Sequence, residues 1–313
     1  MTKLPLVSII TPSYNQAEYL EQTIQSVLSQ DYPNLEYLIV DGGSTDGSLD
    51  IIKKYQNQLV WWTSERDKGQ ADGINKGLER SRGEFVAWLN SDDLYHSGTI
   101  LAAVRALQNN PDCNLVFGNV AAIDSSGATT NLMKYGDWGI EDLLHFEIIG
   151  QPAVFMRRAA LERTGYLDLS FHLLLDHQLW LRIGAVGGMR HIDQVWASAR
   201  FHPTAKNVAR AEAFGEEAYR IVAWMGNYPP LKSCYLDQKQ KIWAGAHRMN
   251  ARYLLDGGFP GKAFSAYMKS LFSYPSIALK ETHRILYAAV SSIINIQFIK
   301  KLFLENRKKK FQK

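Results

Sequence analysis

The chain has 313 residues, of which 46% are hydrophobic and 21% charged. That composition belongs to an ordinary globular protein and excludes wholesale disorder, collagen-like repeats and low-complexity scaffolding. The length is that of about two average domains, or of one continuous α/β core. Cys113 and Cys234 stand far apart, with no CxxC or Cys/His spacing. Neither a disulfide framework nor a structural zinc site is expected, and a reducing compartment is the default. The net charge of +4 is unevenly placed, because residues 300–313 carry seven basic side chains (Lys300, Lys301, Arg307, Lys308, Lys309, Lys310, Lys313) against one acid, Glu305. Taking that net +6 from +4 leaves −2 for everything before Lys300. A nearly neutral body with a basic tail points to an anionic surface met by the tail alone, and no nucleic-acid partner is expected.

The start, Met1-Thr2-Lys3-Leu4-Pro5, lacks an apolar h-region, so no signal peptide is expected. Short apolar runs then alternate with amphipathic stretches, the pattern of parallel strands joined by crossover helices. Strands are predicted at 7–11, 36–40, 59–63, 84–89 and 114–120. Helices are predicted between them at 19–30, 46–56, 70–81 and 97–108. From 129 to 203 the pattern is mixed, with strands near 153–156 and 192–197 and helices at 159–164 and 177–184. From Val208 onward it is helical, with Trp224, Trp243, Tyr253, Leu254, Phe264, Tyr267, Leu271 and Phe272 at spacings that suit a helix–helix core. The apolar stretch from Ile285 to Ile299 is 15 residues long and contains Ser291, Ser292, Asn295 and Gln297. A membrane span needs about 20 apolar residues, so none is expected.

In a doubly wound sheet, ligands gather beyond the carboxyl ends of the strands. The segments there are Pro12-Ser13-Tyr14-Asn15, Asp41-Gly42-Gly43-Ser44-Thr45-Asp46, Ser64-Glu65-Arg66-Asp67 and Asn90-Ser91-Asp92-Asp93. Three of the four carry carboxylates and several are rich in small residues, which suits a nucleotide and a metal-bound diphosphate. No G-x-G-x-x-G follows the first strand and no G-x-x-x-x-G-K-[ST] occurs, so nucleotide binding must lean on side chains.

In order and spacing, Val7 through Asn15, Ile39 through Gly47 and Asn90 through Asp93 resemble the family 2 glycosyltransferases of GT-A fold. Residues 64–77, 151–158 and 176–182 support the likeness, which covers roughly residues 5–205. The resemblance implies an α/β protein with a doubly wound mixed sheet flanked by helices and a mostly helical C-terminal region. It further implies inverting transfer of a sugar from a nucleoside diphosphate donor, UDP-sugar favoured, to a hydroxyl of a glycan or lipid-linked acceptor in surface polysaccharide or glycan assembly, with a divalent cation, Mn or Mg. The GT-A portion is expected at 1–207 and the helical region with its basic tail at 208–313.

The resemblance also distributes roles. Asp41 resembles the base-recognising carboxylate, which can accept an imide N–H, and its alternative is a turn cap. Pro12 and Tyr14 would frame the same nucleobase. Asn90-Ser91-Asp92-Asp93 stands at the Asp-x-Asp metal motif with its first acid replaced by Asn90. Asp92 is then the expected metal ligand, and Asp93 its support or a ribose contact. Asp176, at the start of the Asp-x-x-Leu-Trp-Leu-Arg string, resembles the catalytic base that deprotonates the acceptor; a helix cap is the alternative. Where the family often has a second acid near the base, this chain has Leu175 and Gln178. Arg200-Phe201-His202 resembles the segment near the diphosphate, with His202 completing the metal shell and Arg200 and Lys206 on the donor. Asp67 and Asp72 fit the donor-site segment of the third crossover.

Two other readings stay open on the residues: a non-catalytic binding protein that keeps a degenerate transferase fold, and a nucleotidyltransferase. Against the latter, Thr11 through Gln16 offers no basic residue to a phosphate. The stretch Ile285–Ile299 with its basic tail can lie in a membrane interface, which puts the chain in the cytoplasm with peripheral contact at the inner face.

Overall fold

The computed structural model describes residues 4–202 and 210–293. Lys206 and the basic tail from 300 onward lie outside them. The chain forms two compact units, one built from residues up to 123 with 132–139 and 149–200, the other from 124–131, 140–148 and the chain after 200.

In the first unit, β1 (Val7–Ser13), β2 (Leu35–Asp41), β3 (Trp61–Ser64) and β4 (Phe85–Trp88) alternate with α1 (Ala17–Leu28), α2 (Ser48–Tyr55) and α3 (Gln70–Arg80). These four strands are parallel neighbours in the order β3-β2-β1-β4. Every residue of β1 and all but the first of β2 are buried, as a parallel sheet covered on both faces requires. The helices start and stop within a few residues of their predicted limits. α2 begins at Ser48 and not at Asp46, because Gly47 turns the chain at φ +98° and Asp46 is used as a cap. α3 lies close against the sheet: a methyl group added at Gly77 would come within 2.4 Å of Ile10 Cγ2.

After β4 the short strand β5 (Leu94–Tyr95) and α4 (Thr99–Asn109) lead into β6 (Cys113–Ile123), longer at both ends than its apolar core suggests. β6 does not pair with β4. The later strand β8 (Val154–Arg157) inserts antiparallel to both, and β9 (Gly188–Arg200) runs parallel to β6 with β5 at the edge. β7 (Thr129–Met133) pairs with β6 off that row. The doubly wound mixed sheet expected from the sequence is therefore present. The helices α6 (Arg158–Thr164) and α7 (Leu175–Gly184) both follow the inserted strand in sequence.

The second unit consists of α5 (Ile140–Leu144), α8 (Ala211–Met225), α9 (Pro229–Asp256), α10 (Pro260–Ser273), α11 (Pro275–Ala278) and α12 (Thr282–Ile293). Leu254, Leu255, Ala263, Tyr267 and Ala288 form a core with Phe264 packed on it. Phe272 departs from the expected core set, since it is 82% exposed. α9 is kinked at Gln238, whose Oε1 lies 2.7 Å from His145 Nε2. A methyl group at Gly245 would lie 2.1 Å from the His145 carbonyl oxygen, so only glycine lets α9 approach this segment. Arg248, 1% exposed, donates to Glu147 Oε1 at 3.0 Å, and Lys280 donates to the same oxygen at 2.7 Å. Arg252 and Tyr267 donate to Glu281. No helix among the described residues is long and apolar enough to cross a membrane.

Removing one partner of a buried ion pair leaves an uncompensated charge, which costs about 3–5 kcal/mol. Glu147→Ala should therefore lower unfolding stability in urea by that order, whereas Lys262→Ala, which removes the exposed Lys262–Glu212 pair, should change it by less than about 1 kcal/mol.

Candidate functional site

The turn after β1 and the turn after β2 are sewn together by side chains. Asn15, in the left-handed region at φ +52°, accepts the Thr45 N–H at Oδ1, while its own N–H donates to Ser44 Oγ at 2.7 Å. The Gln16 N–H donates to Ser48 Oγ, and the Ala17 N–H, the first of α1, donates to Asp46 Oδ2. Asp46 also accepts the Ser48 N–H and hydroxyl at the start of α2. One carboxylate thus caps two helices from one loop. Burial would raise the Asp46 carboxyl, but hydrogen bonds from the Ser48 hydroxyl and the Ala17 and Ser48 amides bring it below the usual carboxylate value. On the surface beside these turns stands Tyr14, 62% exposed.

Asp41 ends β2 with no exposure. Its Oδ2 accepts the N–H of Gly43 and of Ser44 and the Ser64 hydroxyl, and its Oδ1 accepts the Ser44 hydroxyl. The carboxylate is surrounded by donors from its own loop and from the end of β3, so it holds this edge of the sheet in shape. Pro12 is buried within β1. Past β3, Asp67 is half-buried, with Oδ1 accepting the Gly69 N–H at 2.8 Å. Asp72, in the first turn of α3, accepts the Lys68 N–H and lies 3.7 Å from Lys76.

The turn after β4 is fixed from several sides. Asn90 accepts from Gln70 Nε2 at 2.8 Å and donates to Asp93 Oδ2 and Gln151 Oε1, each at 3.1 Å; Gln151 in turn donates to the Trp88 carbonyl. Asp93 is 5% exposed, accepts the Arg200 N–H, and is tied to α1 by the Thr23 hydroxyl on its carbonyl. Burial, and then the neighbouring Asp92 charge, hold the Asp93 carboxyl well above the usual range. Arg200, 3% exposed, faces inward: Nε donates to the Asp92 carbonyl, Nη2 to Gln22, and the guanidinium lies 4.6 Å over the Tyr19 ring. Asp92 is half-buried on this turn.

Asp176 lies in the first turn of α7, one residue inside its start, with Oδ1 accepting the His177 N–H at 2.7 Å. Residues four apart share a helix face, and Trp180 on that face stacks on Trp88 with ring centroids 5.1 Å apart. Asp176 is thereby set on the side of α7 that packs on the carboxyl end of β4. Leu179 and Ile183 are fully buried, as the spacing predicts. His202 is 6% exposed and belongs to the second unit.

The polar brackets around the turn, Gln70 and Gln151, and the Trp88–Trp180 stack were not among the residues the sequence singled out for the site. An amide that meets its partner across 61 residues of chain, as Gln151 meets Asn90, carries no local pattern. Among the described residues no three His, Cys, Asp or Glu side chains converge on one point. Half-buried Asp92 carries a carboxylate, a hard oxygen donor. That set fits a cation of the Mg type, which takes one or two carboxylates and completes its shell with substrate phosphates and water.

The sequence profile described as Glycosyl transferase family 2 matches residues 8–163. TuaG of Bacillus subtilis (strain 168), named for teichuronic acid biosynthesis, is 33% identical over 187 residues, covering 57% of this chain and 72% of that protein. Chondroitin synthase of Escherichia coli is 26% identical over 228 residues, covering 71% of this chain but only 33% of that protein. Among solved structures, S. aureus TarS 1-349 in complex with UDP-GlcNAc is similar at a TM-score of 0.57 and 16% identity, over 89% of this chain and 92% of that one. The mannosyltransferase PcManGT from Pyrobaculum calidifontis, in complex with GDP-Man and Mn2+, reaches 0.58 and 20% identity over 95% and 89%. At such identities these two likenesses establish the fold.

Asp46→Ala removes the shared cap and should cost about 1 kcal/mol of unfolding stability near pH 7. Because the folded Asp46 carboxyl titrates below its ordinary value of 3.8, its contribution is present above that value and is lost as pH falls through the lower, folded one. Urea unfolding of the wild type and the variant should therefore differ at neutral pH and converge in acid.

Proposed function

The chain belongs to glycosyl transferase family 2 and is a glycosyltransferase, and on that premise we propose an inverting transfer. The sugar moves from a nucleoside diphosphate donor, UDP-sugar favoured, to a hydroxyl of a glycan or lipid-linked acceptor in surface polysaccharide or glycan assembly. The relatives named for teichuronic acid and chondroitin support the product class, and the neighbours holding UDP-GlcNAc and GDP-Man support the donor class. The observation that carries the reading is the shared edge: exposed Tyr14 and half-buried Asp67 and Asp92 follow the carboxyl ends of β1, β3 and β4, and Asp176 shares a face of α7 with Trp180, which stacks on Trp88 at the end of β4.

In this reading the Asp176 carboxylate takes the proton of the acceptor hydroxyl as its oxygen attacks the anomeric carbon. The bond from that carbon to the diphosphate oxygen breaks on the opposite side, and the nucleoside diphosphate leaves with the electron pair. Pro12 and Tyr14 flank the nucleobase. Asp41 acts through the loop it folds, and Asp67 and Asp72 order the third turn against the donor. Asn90, Asp93 and Arg200 hold the turn that presents Asp92. A Mn or Mg ion bound at Asp92, with His202 as a further ligand, would neutralise charge on the diphosphate, and Lys206 would add to that. The transfer chemistry is assigned to residues 1–207, and the helices from 208 to contact with the acceptor. The basic tail is assigned to an anionic membrane face on the cytoplasmic side.

Ligand that binds the folded state alone raises its stability, by about 2.7 kcal/mol at a hundred times Kd. Thermal shift with UDP, dTDP, GDP and CMP, with and without Mn or Mg, should give a metal-dependent stabilisation with one nucleotide that Asp92→Ala loses. Asp176→Asn should keep that stabilisation while the rate of nucleoside diphosphate release from the sugar donor falls by about 10²–10⁴. Turnover at the wild-type rate would remove Asp176 from the role of base.

A further inference from the structure

Successive side chains of a strand point to opposite faces of the sheet, and this separates the two carboxylates at the nucleobase end. Asp41 pairs in register with Ser13 and Ser64 and bonds to Ser64, so it lies on one face. The neighbouring residue Val40, with Pro12 opposite it in register, lies on the other, against α3: a methyl group added at Gly73 would be 3.8 Å from both Pro12 Cβ and Val40 Cγ1. On that second face a recess is left by two glycines, and Asp67 fills it. A methyl group at Gly42 would sit 2.8 Å from Asp67 Oδ2, and one at Gly73 would sit 3.1 Å from the same oxygen. Gly43, Gly47 and Gly69 have positive φ and are glycine for their backbone. Gly42 does not; space is the reason for it.

Asp67 Oδ1 is engaged with the Gly69 N–H, whereas Oδ2 accepts no hydrogen bond among the described residues. A methyl group at Gly73 would meet both this oxygen and Pro12 Cβ, and β1 runs from Pro12 directly into exposed Tyr14. Asp41, by contrast, is sealed from solvent with both oxygens engaged.

We infer that Asp67 Oδ2 is the acceptor that reads the donor's nucleobase, selecting bases that present a ring N–H (the imide of uracil or thymine, the lactam of guanine) against cytosine and adenine, which present a ring nitrogen lone pair there. The inference rests on the donor-site reading above and replaces Asp41 by Asp67 in the recognition role. The glycine at 42 is the complement of this arrangement: a carboxylate from either position 42 or position 67 can occupy the recess, but not both.

Isothermal titration of the full chain with UDP and CDP tests it. The wild type should prefer UDP by at least about tenfold, the scale of one charge-assisted hydrogen bond. Asp67→Asn keeps an oxygen for the Gly69 N–H and turns a donor toward the base, so the UDP-to-CDP ratio should fall by about ten- to a hundredfold. Gly42→Asp alone should weaken UDP binding through the clash with Asp67, and Gly42→Asp/Asp67→Gly should bind UDP better than Asp67→Gly does. An unchanged ratio in Asp67→Asn, or no gain in the double variant, overturns the assignment. If GDP is the preferred ligand, GDP against ADP replaces the UDP–CDP pair. A wild type that binds no nucleotide fails the donor-site reading itself, and with it any role for Asp67 in base choice.

Discussion

Each crossover helix of a parallel sheet begins with amide N–H groups that no carbonyl within the helix can reach, and all of these gather at the same edge of the sheet. In this protein the demand is met across loops. The residue preceding α1, Gln16, makes no side-chain cap, and neither does Gly47 before α2. The cap for both is Asp46. Because the acceptor for one helix resides in the turn of the next, the first two strand ends can only be ordered together. Asn15 and Gly43 take left-handed backbone so that the two turns can lie side by side. This edge is therefore one hydrogen-bonded object, and Asp41 is its internal post.

A second constraint explains the residue that departs from the family's acidic pattern. Asp93 is buried, with its oxygens accepting from the Arg200 amide and from Asn90. A carboxylate in place of Asn90 would put an acceptor where Asn90 donates to Asp93 Oδ2 at 3.1 Å and would lose the donation to Gln151. The neutral amide at position 90 thus supplies the buried acid at position 93 with a donor. It leaves the exposed side of the turn to Asp92, with Gln70 and Gln151 bracing it from two sides.

The fold was largely legible because both of its periodicities are strong. Continuous apolar runs marked β1, β2, β4 and β6, and amphipathic stretches marked the helices between them. β5, with two residues, has no period to detect. That β8 would insert between β4 and β6 was not readable, because it depends on pairing across some 70 residues of chain and not on any local preference. At the site, the residue types after each strand were informative while their partners were not. Asp41 and Asp67 look equivalent as acids beyond strand ends; strand alternation and the space above two glycines separate them. Arg200, expected on the donor, packs its guanidinium over Tyr19 and donates to Gln22, partners that no local pattern announces.

The second unit is interleaved with the first along the chain. Residues 140–148, which supply Glu147 and the His145 carbonyl, are made before β8, α7 and β9, and the arginine that Glu147 pairs with lies 101 residues later. During synthesis that acid must wait, solvated, while the last segment of the first unit, residues 149–200, is made before its counter-charge exists. Long-range closures of this kind are slow to form. A chain stopped anywhere before Arg248 carries a half-built unit that lacks the partner of Glu147.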